Sequence, residues 1–291
     1  MDGIIVVNKE KGITSRDVVN KLCHIFNTKK IGHTGTLDPL ATGVLVVALG
    51  SSLKIVEYIT SYDKEYIAKV RLGIKTDTGD ITGNTVETDQ KEITNEDIDK
   101  VLKEFPQDYD MEVPIYSAVK VNGKKLYEYA RNNIPVELPH HKVKVYSLER
   151  ISDIEDNSFY IKCHVSKGTY IRALIEDICK NLGTVGTMEE LNRTKQGKFS
   201  IEESYTLDEI ENGNYKLLNS IDVLDLPKVD IDNELILKKV MNGNKLDNVY
   251  NYPEFMFIYN NEVLAIYKQD NGLIKPVKVF NNNIEMIMNN N

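Results

Sequence analysis

The stretch from Gly32 to Gly43 constrains this chain most, because three glycines, several hydroxyl residues and a proline fall within it. Such a composition predicts a loop rather than the interior of a helix or strand. One acid, Asp38, lies at its centre before Pro39, and a residue before proline is driven to extended backbone angles. The apolar run from Gly43 to Gly50 is predicted to be buried. The sequence therefore predicts a carboxylate on a rigid, extended segment that leads into the core.

Two other interpretations of this loop do not involve catalysis by Asp38. A solvated aspartate in a turn is the commoner outcome, since Gly, Thr, Asp and Pro are all turn residues. A phosphate-binding loop fits poorly, because neither a closing Gly-Lys-Ser/Thr nor the glycine spacing of a dinucleotide-binding loop is present. Composition alone therefore favours a turn with Asp38 in solvent.

The same stretch resembles, almost letter for letter, the signature loop of the bacterial tRNA pseudouridine-55 synthases, the TruB family. In that family the aspartate of the loop is the catalytic nucleophile, so the resemblance implies this role for Asp38. The histidine of the loop helps to displace the target base, which implies a substrate-binding role for His33. With this resemblance, a catalytic loop becomes the favoured interpretation.

Two motifs on either side of the loop extend the resemblance. Residues 8–15 are similar to the opening motif of the family, with Lys9 retained and Glu10 in place of the usual proline. Residues 64–83 match a second motif, in which Tyr66 begins a strand of alternating polarity. The family's equivalent tyrosine stacks on the target base. The resemblance implies that Lys9 and Tyr66 bind the substrate and that Tyr66 also takes part in catalysis.

Residues 113–145 combine cations with aromatic side chains, namely Lys120, Lys124, Lys125, Arg131, Tyr116, Tyr127 and Tyr129. This mixture is typical of RNA binding, because cations meet phosphates and rings stack on unpaired bases. A basic surface hairpin with packed tyrosines is equally compatible with the residues alone. The segment resembles a flexible family segment that closes over an RNA stem-loop, which implies an RNA-binding insertion with Lys120 among the contacts.

Tyr170 and Arg172 lie between a strand predicted over residues 159–165 and an amphipathic helix that begins near residue 171. Such junctions often carry site residues. A solvated first-turn side chain is the ordinary interpretation of Arg172. In the matching family motif the tyrosine lines the pocket and the arginine pairs with the nucleophilic aspartate. An arginine in that position keeps a carboxylate ionised, as a nucleophile must be.

Residues 191–199 carry the last motif of the resemblance. Leu191 corresponds to a family residue that contacts the flipped base, which implies a substrate-binding role. Asn192 stands where the family has an arginine, so one contact to RNA or to an acid is expected to be missing. Motifs of the family thus extend from about residue 4 to residue 226.

Periodicity and capping signals predict the main elements. Strands are expected over residues 4–7, 66–72, 142–148 and 159–165, and helices over residues 51–61 and after capping residues near Thr14 and Thr94. The first of these capped helices is expected to end near Asn27. The resemblance implies an α+β class, with a mixed, largely antiparallel sheet flanked by helices in the pseudouridine synthase fold.

A domain boundary is predicted at Leu226-Pro227, which divides a catalytic domain of residues 1–226 from a small domain of residues 227–291. The small domain shows a short helix over residues 233–241 and short strands around Asn260-Asn261, a hairpin signal. Short strands of this kind predict a small β-barrel, and the resemblance implies a PUA-like RNA-binding domain. The Asn-rich end is predicted to be frayed.

Composition limits the class of protein. Three scattered cysteines without a Cys-x-x-Cys pair predict neither a disulfide framework nor a zinc site. No apolar run approaches the roughly 20 residues that span a bilayer, and the N-terminus lacks the basic region of a signal peptide, so a cytoplasmic protein is expected. The net charge of −8 argues against a general polyanion binder. RNA binding would therefore need a local basic groove on an acidic body.

The resemblance implies an enzyme that isomerises uridine 55 in the T-loop of tRNA to pseudouridine. The base is flipped out of its stack, the C1′–N1 bond breaks, the uracil turns, and C1′ joins C5. No metal or organic cofactor is expected, since the uracil stays bound, and the expected partner is the tRNA T-stem-loop, bound by a monomer. Attack at C1′, attack at C6 and assisted elimination to a glycal stay open as routes.

Three other classes compete with this function. A non-catalytic RNA-binding or tRNA-folding protein is disfavoured because Asp38, Tyr66, Tyr170 and Arg172 are all present. A guide-dependent synthase subunit is disfavoured by the insertion at residues 113–145. A phosphate-binding enzyme of another kind is disfavoured by the loop sequence.

Overall fold

The structure is a computed structural model that describes residues 1–280. The Asn-rich end, predicted to be frayed, lies outside the described residues. The α-helices are α1 (Ser15–Ile25), α2 (Val56–Thr60), α3 (Asn95–Glu104), α4 (Leu126–Arg131), α5 (Ile171–Asn181), α6 (Leu207–Glu211), α7 (Ser220–Val223) and α8 (Glu234–Met241). No helix in this part of the chain has both the length and the apolar character needed to cross a membrane.

The strands divide between a large and a small sheet and two short hairpins. In chain order they are β1 (Gly3–Lys9), β2 (Ile31–His33), β3 (Thr42–Leu49), β4 (Lys64–Leu72), β5 (Ile74–Thr76), β6 (Thr85–Thr88), β7 (Asp108–Glu112), β8 (Lys120–Val121), β9 (Lys124–Lys125), β10 (His140–Arg150), β11 (Ser158–Val165), β12 (Gly186–Gln196), β13 (Phe199–Ser200), β14 (Lys228–Asp230), β15 (Leu246–Asp247), β16 (Glu254–Tyr259), β17 (Glu262–Asp270) and β18 (Leu273–Val279).

The large sheet has nine strands, seven of them in the order β1-β3-β12-β4-β11-β10-β7. Strands β3 and β12 pair in parallel, and the other neighbours in this order pair antiparallel. The predicted class, a mixed and largely antiparallel sheet flanked by helices, is therefore confirmed. The order also places β12, late in the chain, between two strands from its first quarter.

Strand β1 shows how the two faces of this sheet are covered. Ile5 and Val7 point into a core shared with α1, α3 and α5, whereas Ile4 and Val6 point into a second core on the opposite face. The second core includes Met256 and other residues of the small sheet. A strand buried on both faces needs a continuous apolar run, which explains the composition of β1.

Most local predictions are confirmed by the described elements. Thr14 and Thr94 accept hydrogen bonds from the third backbone amide of α1 and α3 and complete capping boxes. Helix α1 ends at Ile25, two residues earlier than expected, and Asn27 follows in a left-handed conformation with φ 46°.

The helix predicted over residues 51–61 is only half correct. Residues 50–55 form a 3-10 helix, and α2 begins at Val56. Tertiary contacts occupy the first turn, because Ser51 N donates to Asp2 Oδ1 and the hydroxyls of Ser52 and Ser220 lie 2.9 Å apart. The amide of Ser51 would lack an intrahelical partner in either kind of helix, so the bond to Asp2 caps this turn.

The small sheet has five strands in the order β14-β16-β17-β18-β15 and curls as a half-barrel, as expected of a PUA-like domain. Asn260 and Asn261 connect β16 to β17 with φ of 50° and 62°, which is the backbone of a type I′ hairpin turn. The predicted hairpin and the helix over residues 233–241, found as α8, are both confirmed.

The segment 113–145 contains the β8–β9 hairpin and α4, and the large sheet resumes with β10 at His140. Backbone bonds join the pieces, since Leu126 N donates to Val119 O and Tyr127 N donates to Ser117 O. The predicted limits of the insertion and of the two domains remain predictions.

Candidate active site

The loop of residues 34–41 connects β2 to β3 and is held from several sides. Within it, Ala41 N donates to the carbonyl of Asp38 at 3.0 Å, which closes a turn with Pro39 at its second position. Gly12 N donates to the carbonyl of Pro39 at 2.8 Å. Asp38 is therefore the first residue of a turn that Pro39 stiffens and that the segment around Gly12 holds in place.

Two buried polar side chains clamp the rest of the loop. Ser15 Oγ accepts from Leu37 N at 2.9 Å and donates to Leu37 O at 3.2 Å. Gln196 Nε2 donates to Thr34 Oγ1 at 2.9 Å. Because these bonds are shielded from water, the loop has little freedom to move Asp38.

Arg172 connects Asp38 to two other segments. Its Nε lies 3.0 Å from Asp38 Oδ2, while Nη1 donates to Thr78 O at 2.9 Å and Nη2 donates to Tyr116 O at 3.1 Å. The Arg172 side chain is 7% exposed, and that of Asp38 is 36% exposed. The carboxylate thus faces the cleft with a fixed, buried cation behind it.

The sheet register places Arg193 next to residues of two neighbouring strands. Arg193 on β12 lies opposite Tyr66 on β4 and opposite Gly43 on β3. Arg193 is 1% exposed, and its guanidinium donates to Val44 O at 2.6 Å and to Gly35 O at 3.0 Å. Sequence reasoning missed Arg193 as a site residue, although its spacing of two from Leu191 on a strand places both on one face.

A cleft of about 870 Å³ opens between these elements. Five of the predicted site residues line it, namely Asp38, Tyr66, Tyr170, Arg172 and Leu191. Its wall also carries basic side chains, those of Lys64, His140, His141, Lys142, Lys167 and Arg193. Lys142 and Lys167 are exposed and available to an RNA phosphate. Lys64 and Arg193 are buried, and each donates to backbone carbonyls.

Three predicted site residues lie away from the lining of this cleft: His33, Lys9 and Lys120. The Lys9 side chain is fully buried behind the loop, and its Nζ donates to Glu10 O at 2.8 Å and Ile13 O at 2.7 Å. His33 Nδ1 accepts from Gly35 N at 3.4 Å. Lys120 is exposed at the start of the β8–β9 hairpin.

Burial shifts the pKa of several groups at the site. It raises the pKa of the Tyr66 phenol, an effect that the nearby Arg193 opposes, and it also raises the pKa of Tyr170. Burial lowers the pKa of Lys9 to about 8, although the charge of Asp38 opposes this, and lowers that of Lys64 to about 8. Both phenols are therefore protonated near neutral pH. Over residues 1–280, no three His, Cys, Asp or Glu side chains form a metal-binding cluster.

The chain matches two models of known protein families. Residues 23–171 match the model of the TruB family pseudouridylate synthase N-terminal domain, and residues 172–226 match the tRNA pseudouridylate synthase B C-terminal domain. The chain belongs to the TruB family. The two family models meet at the start of α5, yet β12 of the second pairs with β3 and β4 of the first. The TruB cleft is therefore built from both matched segments.

Whole-chain relatives agree with the TruB assignment. The chain is 43% identical to the tRNA pseudouridine synthase B of Halalkalibacterium halodurans, across 97% of this chain and 98% of the relative. It is 41% identical to that of Caldanaerobacter subterraneus subsp. tengcongensis, across 96% and 99%. Among solved structures, a chain of the Cbf5-Nop10-Gar1 complex matches with a TM-score of 0.70 and 25% identity, across 96% of this chain and 84% of that chain.

Proposed function

We propose that this enzyme converts uridine 55 in the T-loop of tRNA to pseudouridine, with Asp38 as the nucleophile. The observation that carries the proposal is the contact between Arg172 and Asp38 at the edge of the cleft. Arginine stabilises the ionised carboxylate that a nucleophile requires. Whole-chain relatives named tRNA pseudouridine synthase B support tRNA as the substrate.

The target uridine leaves its stack and enters the cleft, where a protein can reach its glycosidic bond. Tyr66 is 6% exposed and lines the cleft, so its ring offers a face on which the uracil can stack. Leu191 and Tyr170 provide further apolar wall. An apolar part of the wall suits a neutral base that must turn without leaving.

The Asp38 carboxylate starts the reaction, the C1′–N1 bond breaks, and C1′ joins C5 of the same uracil. The C5 hydrogen leaves as a proton and N1 gains one, so the substrate and product have the same composition. The protonated phenol of Tyr66, whose pKa burial raises, can relay a proton at the base. The product is therefore built from the atoms of the bound nucleotide, and only protons are exchanged.

The cations on the cleft wall and the β8–β9 hairpin would contact the RNA backbone. Lys142 and Lys167 lie exposed on the wall, and Lys120 lies on the hairpin. We assign the insertion at residues 113–145 and the small domain at residues 227–291 to RNA binding, and we expect the protein to act in the cytoplasm as a monomer. Lys9 and His33 would support the loop from behind, since neither lines the cleft.

The direct test is pseudouridine formation on an unmodified T-stem-loop by the wild type and by Asp38→Asn. We expect product with the wild type and none with Asp38→Asn, because the amide has the same shape but cannot act as a nucleophile. Asp208→Asn, a change of an exposed aspartate on α6, is the matched control and should retain activity. A stem-loop that carries cytidine at the target position tests whether this position is the one that the enzyme modifies.

A guide-dependent subunit is the second candidate, because the chain is structurally similar to a chain of the Cbf5-Nop10-Gar1 complex. Turnover by the purified chain with RNA substrate alone would exclude this candidate. Binding of the stem-loop without product, by wild type and Asp38→Asn alike, would instead favour a non-catalytic RNA-binding protein. Activity that persists in Asp38→Asn would remove Asp38 from the chemistry.

A further inference from the structure

Arg193 is a buried cation to which the proposed function gives no role. Its side chain lines the cleft but is 1% exposed. Within residues 1–280 no carboxylate forms an ion pair with it, whereas the similarly buried guanidinium of Arg172 pairs with Asp38. Burying a charge costs free energy that neutral acceptors offset only in part. Since an apolar side chain could fill the same space, the charge indicates a role beyond packing.

The guanidinium of Arg193 holds both ends of the loop that carries Asp38. Its Nη2 donates at 3.0 Å to the carbonyl of Gly35, at the start of the loop. Its Nε donates at 2.6 Å to the carbonyl of Val44, in β3 just beyond the end of the loop. Hydrogen bonds from a charged donor are about twice as strong as those between neutral groups. Arg193 therefore closes the base of the loop from the side of the sheet.

The sheet in turn fixes Arg193 between two neighbouring strands. Arg193 lies opposite Tyr66 on β4 and opposite Gly43 on β3. The approach to β3 is close, since a Cβ on Gly43 would lie 2.3 Å from the Arg193 carbonyl oxygen. Directly opposite residues of antiparallel strands share one face of the sheet, so the Arg193 side chain starts beside the Tyr66 ring. Arg193 thus links the tyrosine of the cleft to the loop of Asp38.

We propose that Arg193 is a positioning residue, which holds the loop so that Asp38 keeps a fixed place relative to Tyr66. This role differs from that of Arg172, which contacts the Asp38 carboxylate directly. A displacement of about 1 Å between reacting groups can cost about 100-fold in rate, so the support of the loop should be visible in kcat. The proposal rests on the proposed function, since it concerns the same loop and cleft.

The test compares Arg193→Met with the wild type in pseudouridine formation on the unmodified T-stem-loop. Methionine fills similar space but cannot donate to either carbonyl, so we expect kcat to fall about 100-fold. KM should change less than about threefold, because a side chain that is 1% exposed offers almost no surface to an RNA phosphate. Arg150→Met is the matched control, since Arg150 makes a fork of bonds to Asp99 away from the cleft, and it should leave kcat unchanged.

Arg193→Lys adds a pH profile that a purely structural role would not produce. Burial lowers the pKa of Lys9 and Lys64 to about 8, and the charge of Arg193 contributes to both shifts. A lysine at position 193 should also have a lowered pKa, so it is charged at about pH 6.5 and increasingly neutral toward about pH 9. Because a neutral amine bonds a carbonyl less strongly, kcat relative to the wild type should fall about fivefold over this range.

Both variants are assayed at a temperature at which thermal unfolding shows them to be folded, and Arg193→Lys covers the case in which Arg193→Met does not fold. Three outcomes would overturn the proposal while the wild type is active. The first is a kcat of the folded variants within about twofold of the wild type. The second is an equal fall of kcat for Arg193→Met and Arg150→Met. The third is a change confined to KM, which would assign Arg193 to RNA binding.

A different result concerns the proposed function itself. A wild type that binds the stem-loop but forms no product would overturn that function, and the role of Arg193 would fall with it.

Discussion

Arg172 Nε lies 3.0 Å from Asp38 Oδ2, and the same guanidinium bonds the carbonyls of Thr78 and Tyr116. Its position is therefore set by backbone from two segments distant in the sequence. A lysine could supply the charge but not this fork of donors. The contact gives Asp38 both a counter-charge and a fixed direction.

Arg172→Lys should lower kcat on the order of 100-fold, because the bonds to Thr78 and Tyr116 are lost while a charge remains near Asp38. Single-turnover pseudouridine formation measures this. Arg150→Lys is the matched control, since Arg150 makes a similar fork of bonds, to Asp99, away from the cleft, and its loss should leave kcat unchanged. Equal rates for Arg172→Lys and wild type would show that charge alone suffices.

Gly79→Ala should displace the Arg172 side chain, against which Gly79 packs. Gly79 has φ +75°, and a Cβ there would lie 3.3 Å from the Arg172 Cβ. The left-handed conformation itself costs about 1–2 kcal/mol for alanine. Gly213→Ala shares this strain, with φ +81° and no heavy atom within 4 Å of its new Cβ. We expect similar losses of thermal stability, but a fall in kcat of about tenfold for Gly79→Ala alone. Similar kcat values for both variants would contradict a role of Gly79 in placing Arg172.

Replacing Lys120 and Lys124 of the β8–β9 hairpin by glutamine should weaken RNA binding in a salt-dependent way. For each phosphate that the hairpin no longer neutralises, the slope of log K against log salt should become shallower by about 0.7–0.9. Stem-loop titrations at several salt concentrations measure the slope. Lys100 and Lys103, exposed on the acidic helix α3, are the matched pair for comparison. An unchanged slope for the hairpin variant would show that these two lysines do not bind the RNA backbone.

Lys9→Met should change how stability depends on pH. Burial lowers the pKa of Lys9 from 10.5 to about 8, so between these values the unfolded chain holds a proton that the folded chain has lost. Wild-type stability relative to Lys9→Met should therefore rise with pH in this window, by up to about 1.4 kcal/mol per pH unit. Urea unfolding at several pH values measures the difference, with exposed Lys11→Met as control. A pH-independent difference would contradict a proton loss at Lys9.

Sequence patterns predicted much of the fold because the signals were local. Capping boxes at Thr14 and Thr94 and the turn at Asn260-Asn261 depend on residues three or fewer apart. The helix expected over residues 51–61 failed in its first half, where residues 50–55 form a 3-10 helix that contacts Asp2 and Ser220. Local preference decides an element only where distant groups do not bond the same backbone or side chains.

The sequence by itself determined the family, the loop with its single acid, and the motifs that place tyrosines and arginines near the cleft. Only the tertiary structure decided that Lys9 points behind the loop and that Arg193, from β12, lies between Tyr66 and Gly43. The Arg193 bond to the Val44 carbonyl joins residues 149 apart in the chain. Such contacts follow from the order of strands in the sheet, because pairing is set by the burial of whole faces rather than by neighbouring residues.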